Sequence, residues 1–243
     1  MNKQEYIESI SKQRKIQKVL NDIYIWARFA IFSLKETEAN EEAINAIPEF
    51  SVPSKVKEKK VTRKSEDILA SIHKAHTTEI YKALIVYIVS LVEPVLLEVV
   101  RLTLLFDKRR LKTKPKGAER QLDYDTIIDS DNYDSVINVI ISKYIDALSY
   151  SKPQEQLEYL TKLLSITINE DVWNKWIEIK ATRDLIAHNS CIINRVYLDK
   201  VGASARGSLG NEIIINEDYY KEVIIVCKSI TGQIVSRVVK NIH

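Results

Sequence analysis

Glycine and proline are scarce in this chain, and their scarcity limits the fold more than any other feature of the sequence. The 243 residues contain five of each, whereas typical usage is about 7% for glycine and about 5% for proline. Sandwiches, propellers and barrels of short strands need a turn every ~8–12 residues, and turns draw on glycine, proline and asparagine. The sequence therefore excludes these architectures and predicts an all-α fold.

The composition is that of a globular protein, with 45% apolar and 28% charged residues. The net charge of +3 is too small to indicate a nucleic-acid partner by itself. Two cysteines cannot form a disulfide framework, and the N-terminal residues lack the apolar core of a signal peptide. We therefore expect a cytoplasmic protein with free thiols.

Apolar periodicity predicts a helical bundle of about six helices. They cover approximately residues 3–45, 65–106, 135–149, 153–166, 170–183 and 217–242. The most apolar of them is the long helix that ends near residue 106, and we expect it to be the central one. Its longest charge-free run, 83–92, is only ten residues, whereas a membrane-spanning helix needs about 20. The sequence thus predicts a buried core helix and no membrane partner.

The domain organisation follows from composition along the chain. We expect an N-terminal helical segment (1–50), a basic linker (51–64) and a helical domain (65–243). Within the last of these, the stretches 195–201 and 211–216 flank a glycine-rich loop. That pattern predicts a short β-hairpin.

One stretch, RDLIAHN at residues 183–189, combines residues that carry chemistry. The planar guanidinium of Arg183 is suited to bidentate binding of phosphate oxygens. The imidazole of His188 is the kind of group that transfers protons near neutral pH. Asp184 precedes His188 by four residues, so on a helix its carboxylate is expected to reach and orient the imidazole. Asn189 is suited to the left-handed conformation that often ends a helix.

The spacing of the arginine and the histidine sets a geometric condition. Five residues at about 100° each place Arg183 and His188 about 140° apart on an unbroken helix. They share one pocket only if the helix breaks near His188 or if two chains each contribute part of the site. Either solution makes the motif an interface feature.

The motif resembles the R-x4-6-H signature of the HEPN superfamily, in which a polar residue usually follows the arginine. The downstream IINRVYL is also similar to HEPN-like proteins of bacterial toxin–antitoxin and anti-phage systems. The resemblance covers about 65–243, and it makes that region a HEPN-like helical domain. It implies a homodimer with the two motifs facing each other across the dimer axis.

The resemblance also implies an activity. Active HEPN proteins are metal-independent endoribonucleases that leave a 2′,3′-cyclic phosphate and a 5′-hydroxyl. By position, Arg183 would stabilise the scissile phosphate and His188 would act in acid–base transfer at the ribose 2′-hydroxyl, with Asp184 and Asn189 in support. The expected partners are RNA, a second copy of the chain and an antitoxin or defence-system protein.

The composition of a basic segment, 107–121, predicts a mobile loop that could supply contacts to RNA phosphates. The residues predicted to bind RNA are Lys108, Arg109, Arg110, Lys112, Lys114 and Lys116.

Two other interpretations remain open. The chain could be a non-catalytic HEPN-like adaptor or dimerisation module that binds a partner protein through the long apolar helix and the motif face. Cations at the end of a helix are also favoured by its dipole alone.

His73, His76 and Glu79 have a spacing that three metal ligands could share. Such residues are common on exposed helices, so we expect neither a metal nor another cofactor.

Overall fold

The structure is a computed structural model that describes residues 1–40, 42, 44, 46, 50–55, 58–119 and 121–242. Its helices are α1 (Lys3–Lys12), α2 (Lys15–Ala39), α3 (Ser65–Lys74), α4 (Ile80–Phe106), α5 (Tyr124–Ile128), α6 (Tyr133–Tyr150), α7 (Pro153–Leu164), α8 (Glu170–His188), α9 (Arg195–Val201) and α10 (Glu217–Lys240). A π-helical turn (Ala75–Glu79) joins α3 to α4, and two short strands, β1 (Phe50–Val52) and β2 (Lys59–Val61), pair antiparallel. The predicted all-α fold is confirmed.

Helix α4 lies at the centre of the bundle. It contacts α1, α2, α6, α7, α8 and α10, and Ile85, Ile88, Val89 and Val92 on it are fully buried. By length and composition, the continuous helix 65–106 is the one among the described residues that could cross a membrane; 44% of its most apolar window is buried within the protein. The expected long central helix is thus confirmed.

The N-terminal segment forms two helices where the sequence predicted one. Ile10 and Ile16 are six residues apart, which would place them about 120° from each other on a continuous helix. The turn at Gln13 and Arg14 separates the two helices, and both isoleucines are buried. The second helix ends at Ala39, and residues 41, 43 and 45 of the predicted stretch lie outside the described residues.

The N-terminal segment and the rest of the chain share one hydrophobic core. The Tyr6 hydroxyl lies 2.7 Å from Thr103 Oγ1 on α4, and Gln17 Nε2 donates to Thr231 Oγ1 on α10 at 2.7 Å. The segment is therefore a packed part of the bundle, and the expected linker 51–64 carries the small β1–β2 hairpin.

The region after the motif, which was expected to be extended, is mainly helical. Residues 195–201 form α9 rather than a strand because Asn194 caps the helix and accepts a hydrogen bond from the Tyr197 amide at 2.8 Å. The predicted hairpin after residue 188 is reduced to one antiparallel bridge, Ile192 to Glu212.

The basic segment also departs from the predicted mobile loop. It begins with a 3₁₀ helix (Lys108–Lys112). The Tyr144 hydroxyl donates to the Leu111 carbonyl at 2.9 Å, Arg110 donates to the Leu163 carbonyl, and Ala118 is buried. These contacts hold the segment against α6 and α7.

Candidate functional site

Helix α8 carries the RDLIAHN motif in its last turn and a half. It begins after Asn169, which accepts a hydrogen bond from the Val172 amide at 3.0 Å. Its buried face includes Trp173 and Trp176, so both tryptophans belong to the core. The helix continues without a break to His188, so the predicted angle between the arginine and the histidine is retained within one chain.

A buried carboxylate fixes the inner face of this helix. Glu178 accepts hydrogen bonds from the hydroxyls of Thr182 at 2.7 Å, Tyr197 at 2.9 Å and Tyr219 at 2.8 Å. Burial, with a further contribution from the Glu178 charge, raises the pKa of Tyr197 to about 12 and that of Tyr219 well above its ordinary value. These tyrosines lie on α9 and α10, so Glu178 ties the motif helix to the two helices that follow it.

Arg183 lies on the outer face of α8 and is already paired. Its Nη2 donates to Glu93 Oε2 at 3.0 Å, and the same carboxylate contacts Lys180 Nζ through Oε1 at 2.7 Å. Arg183 Nε is 3.0 Å from Asp184 Oδ1, but that buried N–H has no aligned hydrogen-bond acceptor among the described residues. About a quarter of the Arg183 side chain is exposed.

Asp184 does not reach the imidazole that it was predicted to orient. Its carboxylate lies between Arg183 and Lys200, whose Nζ donates to Oδ2 at 3.0 Å. The two cations on either side hold the carboxylate where it is. Asp184 thus connects α8 to α9 and forms no hydrogen bond or ion pair with His188.

His188 is exposed at the end of α8 and, within the part of the chain that the structure describes, makes no hydrogen bond or ion pair through its side chain. Asn189 ends the helix as predicted, but by another means. Its φ is −136°, and its Nδ2 donates to the Ile192 carbonyl at 2.5 Å. The left-handed conformations fall on Ser190 and Cys191 instead. The chain therefore turns sharply away after His188 and leaves the imidazole open.

Arg183 and His188 face two adjacent depressions. The Arg183 depression is lined by Glu93, Ser151, Pro153, Lys180 and Arg183 among others. The His188 depression is lined by Leu185, His188, Asn189, Asn194 and Val196 among others. Ala181, Asp184 and Lys200 border both, so the Asp184–Lys200 ion pair stands between the guanidinium and the imidazole.

Most of the predicted RNA-binding residues have partners within the protein. Lys108 pairs with Asp134 at 2.5 Å, Arg109 with Asp107 at 2.8 Å and Lys116 with Glu155 at 2.6 Å. Arg110 and Lys114 donate to the backbone carbonyls of Leu163 and Ala118. Lys112 makes no such contact among the described residues.

The basic segment nevertheless reaches the candidate site at one end. The Ser151 hydroxyl donates to the Lys116 carbonyl at 3.3 Å, and Ser151 lines the Arg183 depression. Lys116 is therefore near the rim of that depression, while Lys108 is held at the start of α6 by Asp134.

Sequence reasoning missed three charged residues of the site. Lys180 and Lys200 had no distinguishing pattern, because each is one lysine on a mixed helix surface. Glu93 had a weak signal, since it interrupts a strongly apolar helix, and a carboxylate in such a helix needs a cationic partner. The structure supplies two, Lys180 and Arg183.

Comparison of the chain with protein-family models, with curated proteins and with solved structures finds no match. The case for a function therefore depends on the motif and on its surroundings.

Proposed function

We propose that this chain is a metal-independent endoribonuclease of HEPN type, active as a homodimer in which each site combines Arg183 of one subunit with His188 of the other. The observation that carries this proposal is the division between the two depressions. Because α8 is unbroken and the Asp184–Lys200 pair stands between the two side chains, one chain does not offer both groups to the same phosphodiester. A facing copy would bring its His188 opposite Arg183.

The chemistry requires no group beyond these side chains. His188 would take the proton of the ribose 2′-hydroxyl as O2′ forms its bond to phosphorus. The bond from phosphorus to O5′ would break, and the imidazolium formed when His188 took the first proton would return that proton to O5′. Arg183 would stabilise the negative charge that develops on the non-bridging oxygens. The products would be a 2′,3′-cyclic phosphate and a 5′-hydroxyl.

The charges around Arg183 favour a phosphate. Three cations, Lys180, Arg183 and Lys200, are balanced by two carboxylates, Glu93 and Asp184, which leaves one net positive charge. The carboxylates hold the guanidinium in place before substrate binds, and an incoming phosphate would compete with Glu93 for it. Cations that are held in position in this way stabilise the negative charge that develops in the transition state.

RNA would extend from this site along the basic segment. Lys116 at the rim and Lys112 beyond it would contact backbone phosphates, and binding would weaken as salt concentration rises. We further propose that the enzyme acts in the cytoplasm as an effector of a toxin–antitoxin or anti-phage system.

The test is cleavage of labelled RNA by purified protein in EDTA. We expect His188→Ala and Arg183→Ala each to lower the rate by about 10²–10⁴-fold, as loss of acid–base or charge-stabilising groups does. Arg14→Ala is the matched control, since Arg14 is an exposed arginine at the α1–α2 junction. Equal cleavage by the wild type and by His188→Ala would refute the proposal.

A non-catalytic adaptor is the second candidate, and one observation favours it. Four large apolar side chains on the outer face of α2, Ile25, Trp26, Phe29 and Phe32, are each about half exposed or more. An exposed apolar patch of this kind is typical of a protein-binding surface. On the long apolar helix, by contrast, Tyr87 is the one large hydrophobic side chain among the described residues that is exposed, so the partner surface that we propose is the patch on α2.

The two candidates respond differently to substitution. An adaptor would lose its partner on Phe29→Ser or Phe32→Ser and would keep it on His188→Ala. An endoribonuclease would show the reverse pattern in RNA cleavage. Circular dichroism of the Phe29→Ser and Phe32→Ser variants, both at exposed positions, separates loss of binding from loss of folding.

A further inference from the structure

A second cluster of chemically active side chains lies between α2 and the start of the long helix. His73 Nδ1 is 2.9 Å from Glu38 Oε1, and His76 Nε2 is 2.5 Å from Glu38 Oε2. One ligand atom from each of the three residues can be chosen so that all lie within 4.8 Å of one another. Glu38 is 35 residues before His73 in the sequence, so only the fold brings the set together.

The π-helical turn gives the two histidines their common direction. His73 lies in the last turn of α3 and His76 lies within the turn Ala75–Glu79. Single π turns inside α-helices are frequent at functional sites. Glu79, the third residue of the sequence pattern, points elsewhere and pairs with Lys74 at 3.6 Å and Lys82 at 3.4 Å.

Burial makes a purely hydrogen-bonded arrangement costly. The His76 side chain is about 6% exposed, and its Nδ1 has no hydrogen-bond partner among the described residues. A buried polar atom without a partner lowers the stability of the folded state. The nitrogen that faces Glu38, His76 Nε2, is the one that would bind a metal.

We propose that Glu38, His73 and His76 bind a divalent transition-metal ion, Zn²⁺ by preference. Two imidazole nitrogens and one carboxylate oxygen form a ligand set that zinc uses when a fourth position is left to water or another ligand. Ligand atoms on a tetrahedral zinc with bonds of about 2.0–2.2 Å are about 3.3 Å apart, so small side-chain movements would suffice. The His73 side chain is 63% exposed, which gives the ion a path from solvent.

The proposed metal would join α2 to the helix 65–106 and would be separate from the RDLIAHN motif. None of its three ligands lines the Arg183 depression or the His188 depression. Its role would be to stabilise the packing of the N-terminal segment. The inference is therefore independent of the proposed ribonuclease activity.

The test is titration of chelator-treated full-length protein with Co²⁺, followed by the visible absorption of tetrahedral cobalt, and then displacement by Zn²⁺. We expect one equivalent to bind to the wild type. Glu38→Gln and His73→Asn should weaken binding at least tenfold, and both positions are accessible enough for the variants to fold. Glu79→Gln is the matched control and should bind as the wild type does, as should His188→Ala.

Two results would overturn the proposal. One is the absence of saturable binding at one equivalent in folded wild-type protein. The other is a loss of affinity in Glu79→Gln or His188→Ala as large as that in Glu38→Gln, because binding would then be spread over surface groups. Circular dichroism of each variant confirms that it is folded.

Discussion

The two candidate sites of this molecule are opposites in how sequence and fold contribute to them. Arg183 and His188 are five residues apart in the chain, yet α8 directs them into separate depressions. Glu38 and His76 are 38 residues apart, and the fold brings their polar atoms to within 2.5 Å. The first site is visible in the sequence but divided between two depressions, whereas the sequence indicates only the two histidines of the second, and the fold adds the carboxylate.

The difference shows what a local sequence motif and a site assembled by the fold can each reveal. A local motif identifies residue types suited to a reaction, but the helix on which it lies decides whether those residues can act together. A site that includes a distant residue leaves only part of its pattern in the sequence: the spacing of His73 and His76 was visible, but it suggested Glu79 as the third residue where the fold supplies Glu38. We therefore expect the first site to depend on a second subunit and the second site to depend on the monomer fold alone.

The largest effect should come from mixing subunits that carry different defects. Arg183→Ala and His188→Ala should each lose about 10²–10⁴-fold in rate when alone. In a heterodimer of the two, one of the two composite sites is intact. Random pairing of equal amounts should thus restore about a quarter of wild-type cleavage, measured on labelled RNA.

A matched mixture controls for exchange artefacts. Arg183→Ala combined with the double variant Arg183→Ala/His188→Ala contains no intact site and should stay inactive. If the first mixture is as inactive as its components although heterodimers are shown to form, Arg183 and His188 act within one chain, and the contrast between the two sites disappears.

Metal removal should separate the two sites in a single sample. If Zn²⁺ binds only the folded state, a free concentration about a thousandfold above its Kd adds about 4 kcal/mol to the free energy of unfolding. Chelation should remove that stabilisation, seen as a lower thermal midpoint, and leave the rate of RNA cleavage unchanged. Glu38→Gln should melt at the same temperature with and without Zn²⁺. A chelator that abolishes cleavage in still-folded protein would contradict the assignment of separate roles.

Much of the fold could be predicted because it depends on local patterns. The scarcity of glycine and proline, the apolar run of α4 and the cap at Asn169 are readable directly. The break at Gln13 was missed because apolar residues continue through it, and a shift of about 120° in the direction of the apolar face is hard to see over a long stretch. Helix α9 was missed because β-branched and aromatic residues in RVYLDKV favour a strand, and the Asn194 cap decides otherwise.

The site was predictable only in its residue types. The residue types at positions 183 and 188 follow from the motif, but Asp184 was assigned to the wrong partner. A carboxylate four residues before a histidine can reach it on a helix, yet Arg183 and Lys200 attract it more strongly. Lys200 is on another helix, and sequence alone gave no means of placing it there.

A smaller effect is expected from the buried face of the motif helix. Tyr219→Phe removes one of the three hydroxyls that donate to Glu178. A hydrogen bond to a buried charged group is worth about 1.5–3 kcal/mol, so the free energy of unfolding in urea should fall by about that amount. Tyr150→Phe is the control, since Tyr150 is almost fully exposed. A large loss of cleavage in folded Tyr219→Phe would show that this network also positions the catalytic groups.

The same network predicts loss of stability in alkali. The pKa of Tyr197 is raised to about 12 in the folded state, while tyrosines in the unfolded chain titrate near 10. Above pH ~10 the unfolded state binds fewer protons than the folded state, so stability falls as pH rises. Urea unfolding at stepped pH should be constant up to about pH 9 and then decline, and the decline should be shallower in Tyr219→Phe. A flat profile up to pH 12 would contradict this account of the buried tyrosines.

The smallest effect concerns Glu93, the carboxylate that already occupies Arg183. In Glu93→Gln, Arg183 and Lys180 lose their shared acidic partner, so an RNA phosphate would no longer compete with a carboxylate for the guanidinium. We expect KM for RNA to fall several-fold, on the order of 1 kcal/mol, with kcat little changed. Stability should change by no more than about 1 kcal/mol, because the pair is partly exposed.

Glu98→Gln is the matched control for that change, since Glu98 lies on the same helix and pairs with its own arginine, Arg101, at 2.6 Å. It should leave KM unaffected. If Glu93→Gln instead lowers kcat as much as Arg183→Ala does, the carboxylate positions the arginine in the transition state rather than competing with substrate. The KM and kcat of Glu93→Gln thus decide whether Glu93 competes with the RNA phosphate for Arg183 or positions Arg183 in the transition state.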